Sequence, residues 1–186
     1  MIVAVRLPIP SLQDRRRGVR LRPWRDDPAD VAALVAAWHD PLVVAHNPVP
    51  RDTSPDAARR WIAGDTERRA RGLALDLVIA PVDRDDVWGE VGLRGLDRAT
   101  GRAEAGWWLA AEARGRGLAA AALDLLATWA LSPPLGLRQV WARIDTANRP
   151  SAHAAAAAGF RRLGAAGAVD VWSREAMPNG PPRARQ

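Results

Sequence analysis

Lysine, tyrosine and cysteine are all absent from this chain of 186 residues, and phenylalanine occurs once. Without Cys there is no thiol nucleophile, no disulfide framework and no thiolate metal site. Without Tyr, no phenol can serve as a proton donor. The 3 His (His39, His46 and His153) are too scattered to build a metal site, so none is expected. No uncharged apolar run reaches the roughly 18 residues a membrane span needs. Residues 1–12 are apolar, but Arg6, Pro8 and Pro10 interrupt them and no small-residue cleavage site follows. No signal peptide is read there, and a cytoplasmic setting is expected.

All 27 basic side chains are therefore Arg; they face 21 acidic ones, for a net charge of +6. The excess sits at the ends. Residues 1–25 hold seven Arg and one Asp, Arg183 and Arg185 close the chain, and 26–177 is slightly acidic. That distribution argues against a nucleic-acid footprint on the body. The run Arg15-Arg16-Arg17 could meet phosphate or an acidic partner, or simply be solvated. Residues 1–18 read as a loosely attached leader, 19–177 as one domain, and 178–186 as a flexible tail.

Hydrophobic periodicity sets the expected elements. A strand at 19–22 ends at Pro23. A helix starts at Asp26-Asp27-Pro28 with Val31, Leu34, Val35 and Trp38 on one stripe. Residues 39–53 read as loop, and a second helix runs from Ser54-Pro55 to Gly72. Strands at 73–82, 87–96 and 103–110 are joined by short turns, which predicts an antiparallel meander. A helix at 117–131, a strand at 139–144, an Ala-rich helix opened by Asn148-Arg149-Pro150-Ser151 and two final strands complete the chain. The strand–helix–strand order over 103–144 requires a crossover, so those two strands should be parallel. The class is α+β, with helices on both faces of a mixed sheet.

One loop carries chemistry. Glu112-Ala113-Arg114-Gly115-Arg116-Gly117-Leu118-Ala119 lies between a strand and an amphipathic helix. Glycine at 115 and 117 lets the backbone turn sharply and approach a ligand closely. The amides of 114–119 can then converge near the positive end of the helix dipole, a site suited to pyrophosphate. Arg114 and Arg116 add charge. Gly115-x-Gly117-x-x-Ala120 matches the dinucleotide fingerprint in letters, but that fingerprint opens a domain and this one follows a meander. Coenzyme A is the other reading.

At Arg114, Gly117 and Ala119 the loop resembles the Arg/Gln-x-x-Gly-x-Gly/Ala signature of the GNAT acyltransferase superfamily. The likeness extends to Ala103-Glu104-Ala105-Gly106-Trp107-Trp108-Leu109, similar to the family's fourth strand. It continues through Trp141 to Asn148, Ser151 and Gly159-Phe160, similar to its fifth strand and following helix. It spans roughly 19–175, and the nearest group is the ribosomal-protein N-terminal acetyltransferases. The resemblance implies a twisted sheet of about seven strands whose fourth and fifth splay around acyl-CoA. The pyrophosphate would rest on Arg114, Gly115, Arg116, Gly117, Leu118 and Ala119. The pantetheine arm would run along Trp107, Trp108 and Leu109 and meet Asn148, which can equally be a helix cap. Partners would be acetyl-CoA or another acyl-CoA and an amine acceptor, with a homodimer as an open assembly.

The implied function is N-acetyl transfer to a primary amine; the alternative is a non-catalytic acyl-CoA-binding regulatory module. Glu104 is the first choice of base and a solvent-facing residue otherwise. Glu90, on the preceding strand, is second and reads more simply as a paired edge charge. Many relatives protonate the leaving thiolate with a Tyr, which this chain lacks. Ser151 is the candidate to donate to the sulfur, or is a first-turn cap; His153 reads as solvent-facing. Trp38, His46 and Asn47 are candidate walls for the acceptor, although Trp38 on its apolar stripe also fits a core.

Overall fold

Aspartate, serine, asparagine and proline mark where most of the helices begin. The computed structural model describes residues 7–177. In α1 (Pro28–His39) the Asp27 carboxylate accepts from the amides of Ala29 and Asp30. Asp40 does the same for Leu42 and Val43 at the start of α2 (Pro41–His46). Ser54 caps α3 (Pro55–Ala63), which breaks at Gly64 before α4 (Asp65–Ala70). The long α5 (Leu118–Leu131) has no side-chain cap, and Asn148 caps α6 (Arg149–Ala157) through Ser151 N. Such caps are worth about 1 kcal/mol each.

The strands are β1 (Leu12–Asp14), β2 (Val19–Pro23), β3 (Ala74–Pro81), β4 (Gly89–Asp97), β5 (Arg102–Leu109), β6 (Gln139–Asp145), β7 (Arg161–Ala166) and β8 (Val169–Glu175). They form one sheet in the order β1-β2-β3-β4-β5-β6-β8-β7. All neighbours are antiparallel except β5 and β6, the pair joined by the α5 crossover. Alternation gives the sheet two faces. Leu75, Leu77, Ile79, Val91, Leu93, Val140 and Ala142 pack under α5 and α6. Val78, Ala80 and Trp108 turn to the other side, against α1 and α3 and with Trp24. Burying each large apolar side chain contributes about 1.5–3 kcal/mol.

Among the described residues the sheet has eight strands, in keeping with the expected twisted sheet of about seven. Several expectations are corrected. The extra strand is β1, which pairs with β2 at Leu12↔Leu21, Gln13↔Arg20 and Asp14↔Val19. Residues 7–18 are therefore no loose leader: Leu7 is 1% exposed, and its amide donates to Arg69 O at 2.9 Å. Residues 1–6 and the tail at 178–186 lie outside the described residues. The expected loop at 39–53 contains α2, because Asp40-Pro41 starts a helix as Asp27-Pro28 does. The second helix is two helices divided at Gly64. No described helix is long and apolar enough to cross a membrane.

Candidate active site

The uncapped start of α5 is the centre of the loop singled out by the sequence. A short 3-10 turn at Ala111–Ala113 leads into Arg114, then Gly115 and Gly117 take φ of 74° and 73°. A Cβ built on either glycine meets nothing within 4 Å. Their need for glycine is thus conformational, and the space above them is open. Ala121 N, donating to Gly117 O, makes the first helical bond. Among the described residues no acceptor lies on the amides of 115–120. Six donors at the positive end of a 14-residue helix make an anion site of pyrophosphate size. Arg116 is exposed and lies over the Trp88 ring at 4.7 Å.

Beside this loop the sheet opens. β5 and β6 pair only at Arg102↔Gln139, Ala103↔Val140 and Glu104↔Trp141. Beyond that point β5 continues to pair with β4 as far as Leu109, and β6 with β8 as far as Asp145. The two central strands diverge from Ala105 and Ala142 onward, leaving unpaired backbone along the wedge that leads to the loop. An extended, amide-bearing arm can add to such an edge as a strand would.

The family described as the acetyltransferase (GNAT) domain matches residues 19–161, well over half of the chain. The chain belongs to the GNAT acetyltransferase family. It is 29% identical over 122 residues to the uncharacterized N-acetyltransferase p20 of Bacillus licheniformis, covering 66% of this chain and 68% of that one. Its fold is that of Mycobacterium smegmatis RimJ in complex with CoA-disulfide, with a TM-score of 0.73, 22% identity and coverage of 92% and 89% of the two chains. The ribosomal-protein-S5-alanine acetyltransferase of Vibrio fischeri superposes with a TM-score of 0.74 at 18% identity, over 88% of this chain and 96% of that one. The ribosomal-protein acetyltransferase type suspected from the sequence is thus among its structural neighbours. Acetyl-CoA is the cosubstrate of the family, as the resemblance implied.

The floor of this acetyltransferase's open face lies where the strands part. Register sets Gly92 opposite Gly106, with Glu90↔Trp108 on one side and Arg94↔Glu104 on the other. A Cβ on Gly106 would approach only the Arg94 guanidinium, at 4.0 Å. Glu104 is 7% exposed. It accepts from Arg94 Nη2 at 2.9 Å and from Arg143 Nε and Nη2 at 3.1 and 3.2 Å. Burial alone would raise its pKa, but the bonds from Arg94 and Arg143 outweigh it and hold Glu104 below the usual carboxylate range. It is a firmly ionised carboxylate and a weak proton acceptor.

Glu90 differs in every respect. It is half-buried on β4 and accepts from the Trp24 indole Nε1 at 2.8 Å. Burial pushes it up to about 8, reinforced by the nearby Asp76 and opposed by the bonds from the Trp24 and Trp108 indoles and the charge of Arg68. Burial raises Asp76 as well, against the pull of Arg68, whose Nε donates to it at 3.2 Å. Glu90 is therefore not the paired edge charge of the sequence reading.

The remaining expected residues separate clearly. Asn148 is a cap, with Oδ1 accepting from Ser151 N at 3.1 Å, and both stand at the start of α6 beyond the β6 side of the wedge. His153 is exposed. Trp108 is 9% exposed on the α1–α3 face of the sheet, while Trp107 and Leu109 are half-buried against the opposite core. Trp38 is 8% exposed within the second core, as its apolar stripe also allowed. His46 is exposed at the end of α2, and Asn47 closes that helix with its amide and Nδ2 on Val43 O.

Arg114 is not aimed outward alone. Its Nη2 donates to Asp40 Oδ2 at 2.6 Å and its Nε to Leu109 O at 3.1 Å. Sequence reasoning missed Asp40, Asp76, Arg94, Arg143 and Trp24. Alternation along β4 carried a signal for Arg94, which shares a face with Glu90 and Gly92. Nothing local signals the pairing of residues 74 apart that joins Arg114 to Asp40.

Proposed function

We propose that this acetyltransferase moves the acetyl group of acetyl-CoA to a primary amine, a protein N-terminal α-amine or a small-molecule amine, by direct attack in a ternary complex. The observation that carries the reading is the ring of unpartnered amides at 115–120 beside the parted strands β5 and β6. In it the pyrophosphate rests on Gly115, Arg116, Gly117, Leu118 and Ala119. The pantetheine arm follows the backbone of Trp107, Trp108 and Leu109 towards Asn148. The acceptor approaches over Gly106 from the α1–α2 side, past His46 and Asn47. The setting is cytoplasmic.

The chemistry asks for little. An α-amine with a pKa near ~8 is about one-tenth neutral at pH 7. Holding it against the thioester supplies on the order of 7–11 kcal/mol at best. Glu104 keeps Arg94 and Arg143 ordered beside the acceptor. Ser151 Oγ donates to the departing sulfur, whose thiol pKa near ~8.5 makes it a fair leaving group. With no Cys in the chain, an acyl-cysteine intermediate is ruled out.

The test is thiol release from acetyl-CoA with a panel of peptide and small-molecule amines at pH 7–8. Amine-dependent release with an acetylated product supports the reading. Acetyl-CoA binding without release for any amine would overturn it. The chain would then be an acyl-CoA-binding module, the reading that the missing Tyr favours.

A further inference from the structure

The two glutamates of the open face have opposite surroundings, and they flank Gly106, over which the floor is bare. Gly92 and Gly106 stand in register on β4 and β5, and no protein atom fills the space where a Gly106 side chain would be, Arg94 approaching no nearer than 4.0 Å. A thioester arm entering between β5 and β6 reaches this space from one side, and an acceptor reaches it from the helix side. Glu104 lies below it, held by two guanidiniums. Glu90 lies above it and diagonally across from Gly106, a spacing of roughly 7–8 Å between backbones that a Glu side chain and one water bridge. Among the described residues no guanidinium bonds to Glu90; the Trp24 indole donates to it at 2.8 Å.

We propose that Glu90, and not Glu104, is the group that takes the proton from the acceptor amine. The inference rests on the acetyltransferase reading above and assigns a residue within it. An acceptor arriving as an ammonium gives one N–H proton to Glu90, directly or through a water, and becomes a neutral amine. Its lone pair forms the N–C bond to the thioester carbonyl, whose π electrons move onto oxygen. As the carbonyl re-forms, the C–S bond breaks and its electron pair leaves on sulfur. The second N–H proton goes to that thiolate, and Glu90 releases its own to solvent. The sum is amide, free CoA thiol and one proton.

The surroundings suit this task. A base works best with a pKa near the working pH, and burial has moved Glu90 to about 8. The charged groups facing it are Asp76 on β3 and Arg68 on α4, themselves bonded. Farther along β4 and β5 come Arg94 and Glu104, and α1 and α3 present apolar side chains such as Leu34 and Ile62. Trp24, meeting Trp61 edge-on at 6.0 Å and stacked on Trp108 at 6.3 Å, fixes the indole that orients the carboxylate.

The experiment compares wild type, Glu90→Gln and Glu104→Gln, each with the amine that passes the thiol-release test, from pH 6 to 9.5. Acetyl-CoA affinity is measured by titration alongside. Glu90→Gln should lower kcat roughly 100-fold or more and change acetyl-CoA affinity less than about twofold. Its pH profile should retain only the ionisation of the amine. Glu104→Gln should chiefly raise the acceptor KM and keep the carboxyl-dependent rise in kcat. Glu90→Ala supplies a second readout: added formate should restore part of the rate if a carboxylate is what is missing, which a purely structural defect would not allow. Wild-type kcat and pH profile in Glu90→Gln, or loss of the carboxyl limb in Glu104→Gln instead, would overturn the assignment alone. Failure of the wild type to acetylate any amine would overturn the parent reading and this step with it.

Discussion

The guanidinium of Arg114 sits 2.6 Å from the carboxylate of Asp40, joining the loop before α5 to the junction of α1 and α2. The same Asp40 caps α2, and the same Arg114 holds Leu109 O at the end of β5. The signature arginine thus ties the glycine loop to the α1–α2 junction, across which the proposed acceptor would approach. Burial would raise Asp40, but the bonds from Arg114 and the α2 amides prevail and hold it below its ordinary pKa. Arg114→Ala and Asp40→Ala should each weaken acetyl-CoA binding and raise the acceptor KM. The double variant should lose little more than either single one, a coupling of about 0.5–3 kcal/mol. A double-mutant cycle on both constants checks this; fully additive losses would show two independent side chains.

Gly117 holds φ at 73° with nothing near its missing side chain. Gly117→Ala therefore meets no clash and costs only the left-handed backbone, about 1–2 kcal/mol. The loop can escape that strain by rotating its amides away from convergence. Acetyl-CoA affinity should fall roughly 5–30-fold, while the fold is retained. Isothermal titration with acetyl-CoA beside a circular-dichroism melt separates the two effects.

Much of this architecture was legible in the chain, for physical reasons that also mark the limits. A nearly continuous apolar stretch gave β3, short flanking turns gave β4, and the Asp-Pro and Ser-Pro starts gave α1 and α3, because caps and burial act within a few residues. The glycines at 115 and 117 gave the loop, since only glycine takes that backbone conformation without strain. Residues 7–18 were misread because Arg15-Arg16-Arg17 looks solvated, whereas Leu7 is buried at the sheet edge by Arg69, a partner 62 residues away. The carboxylates were misjudged for the same reason. Glu90 and Glu104 look alike in sequence, and what separates them is an indole from Trp24 and two guanidiniums from β4 and β6, brought there by register.

Glu104 also sets an acid limb of stability. Its folded pKa lies below the ordinary value, so its contribution is complete above the unfolded pKa and is lost as pH falls through the folded one. Arg94 and Arg143 are largely exposed, which screens the pair and limits its worth to about 1 kcal/mol. Glu104→Gln should melt a few degrees below wild type at pH 7. The gap should close as pH drops below about 4.3, where the wild-type carboxylate is also neutralised. A Tm series from pH 3 to 7 checks it, and a gap independent of pH would point to lost packing instead.

Glu90 gives the opposite sign, and with it a contrast between stability and activity. Its folded pKa of about 8 stands above that of an unfolded carboxyl, near ~4.3. The folded chain keeps a proton that the unfolded chain gives up, so stability is full at pH 4 and declines as pH climbs towards 8. Glu90→Gln removes the ionisation and keeps an oxygen for the Trp24 indole. It should melt with the wild type at pH 4 and above it at pH 9, by about 1 kcal/mol or more, which is about 2–4 °C per kcal/mol in a chain of this length. Asp76, raised by the same burial, should show the same trend on Asp76→Asn. A variant that gains stability at alkaline pH while losing turnover is what the proposed role of Glu90 requires. Equal melting curves for Glu90→Gln and wild type from pH 4 to 9 would mean that Glu90 ionises as freely as an exposed side chain.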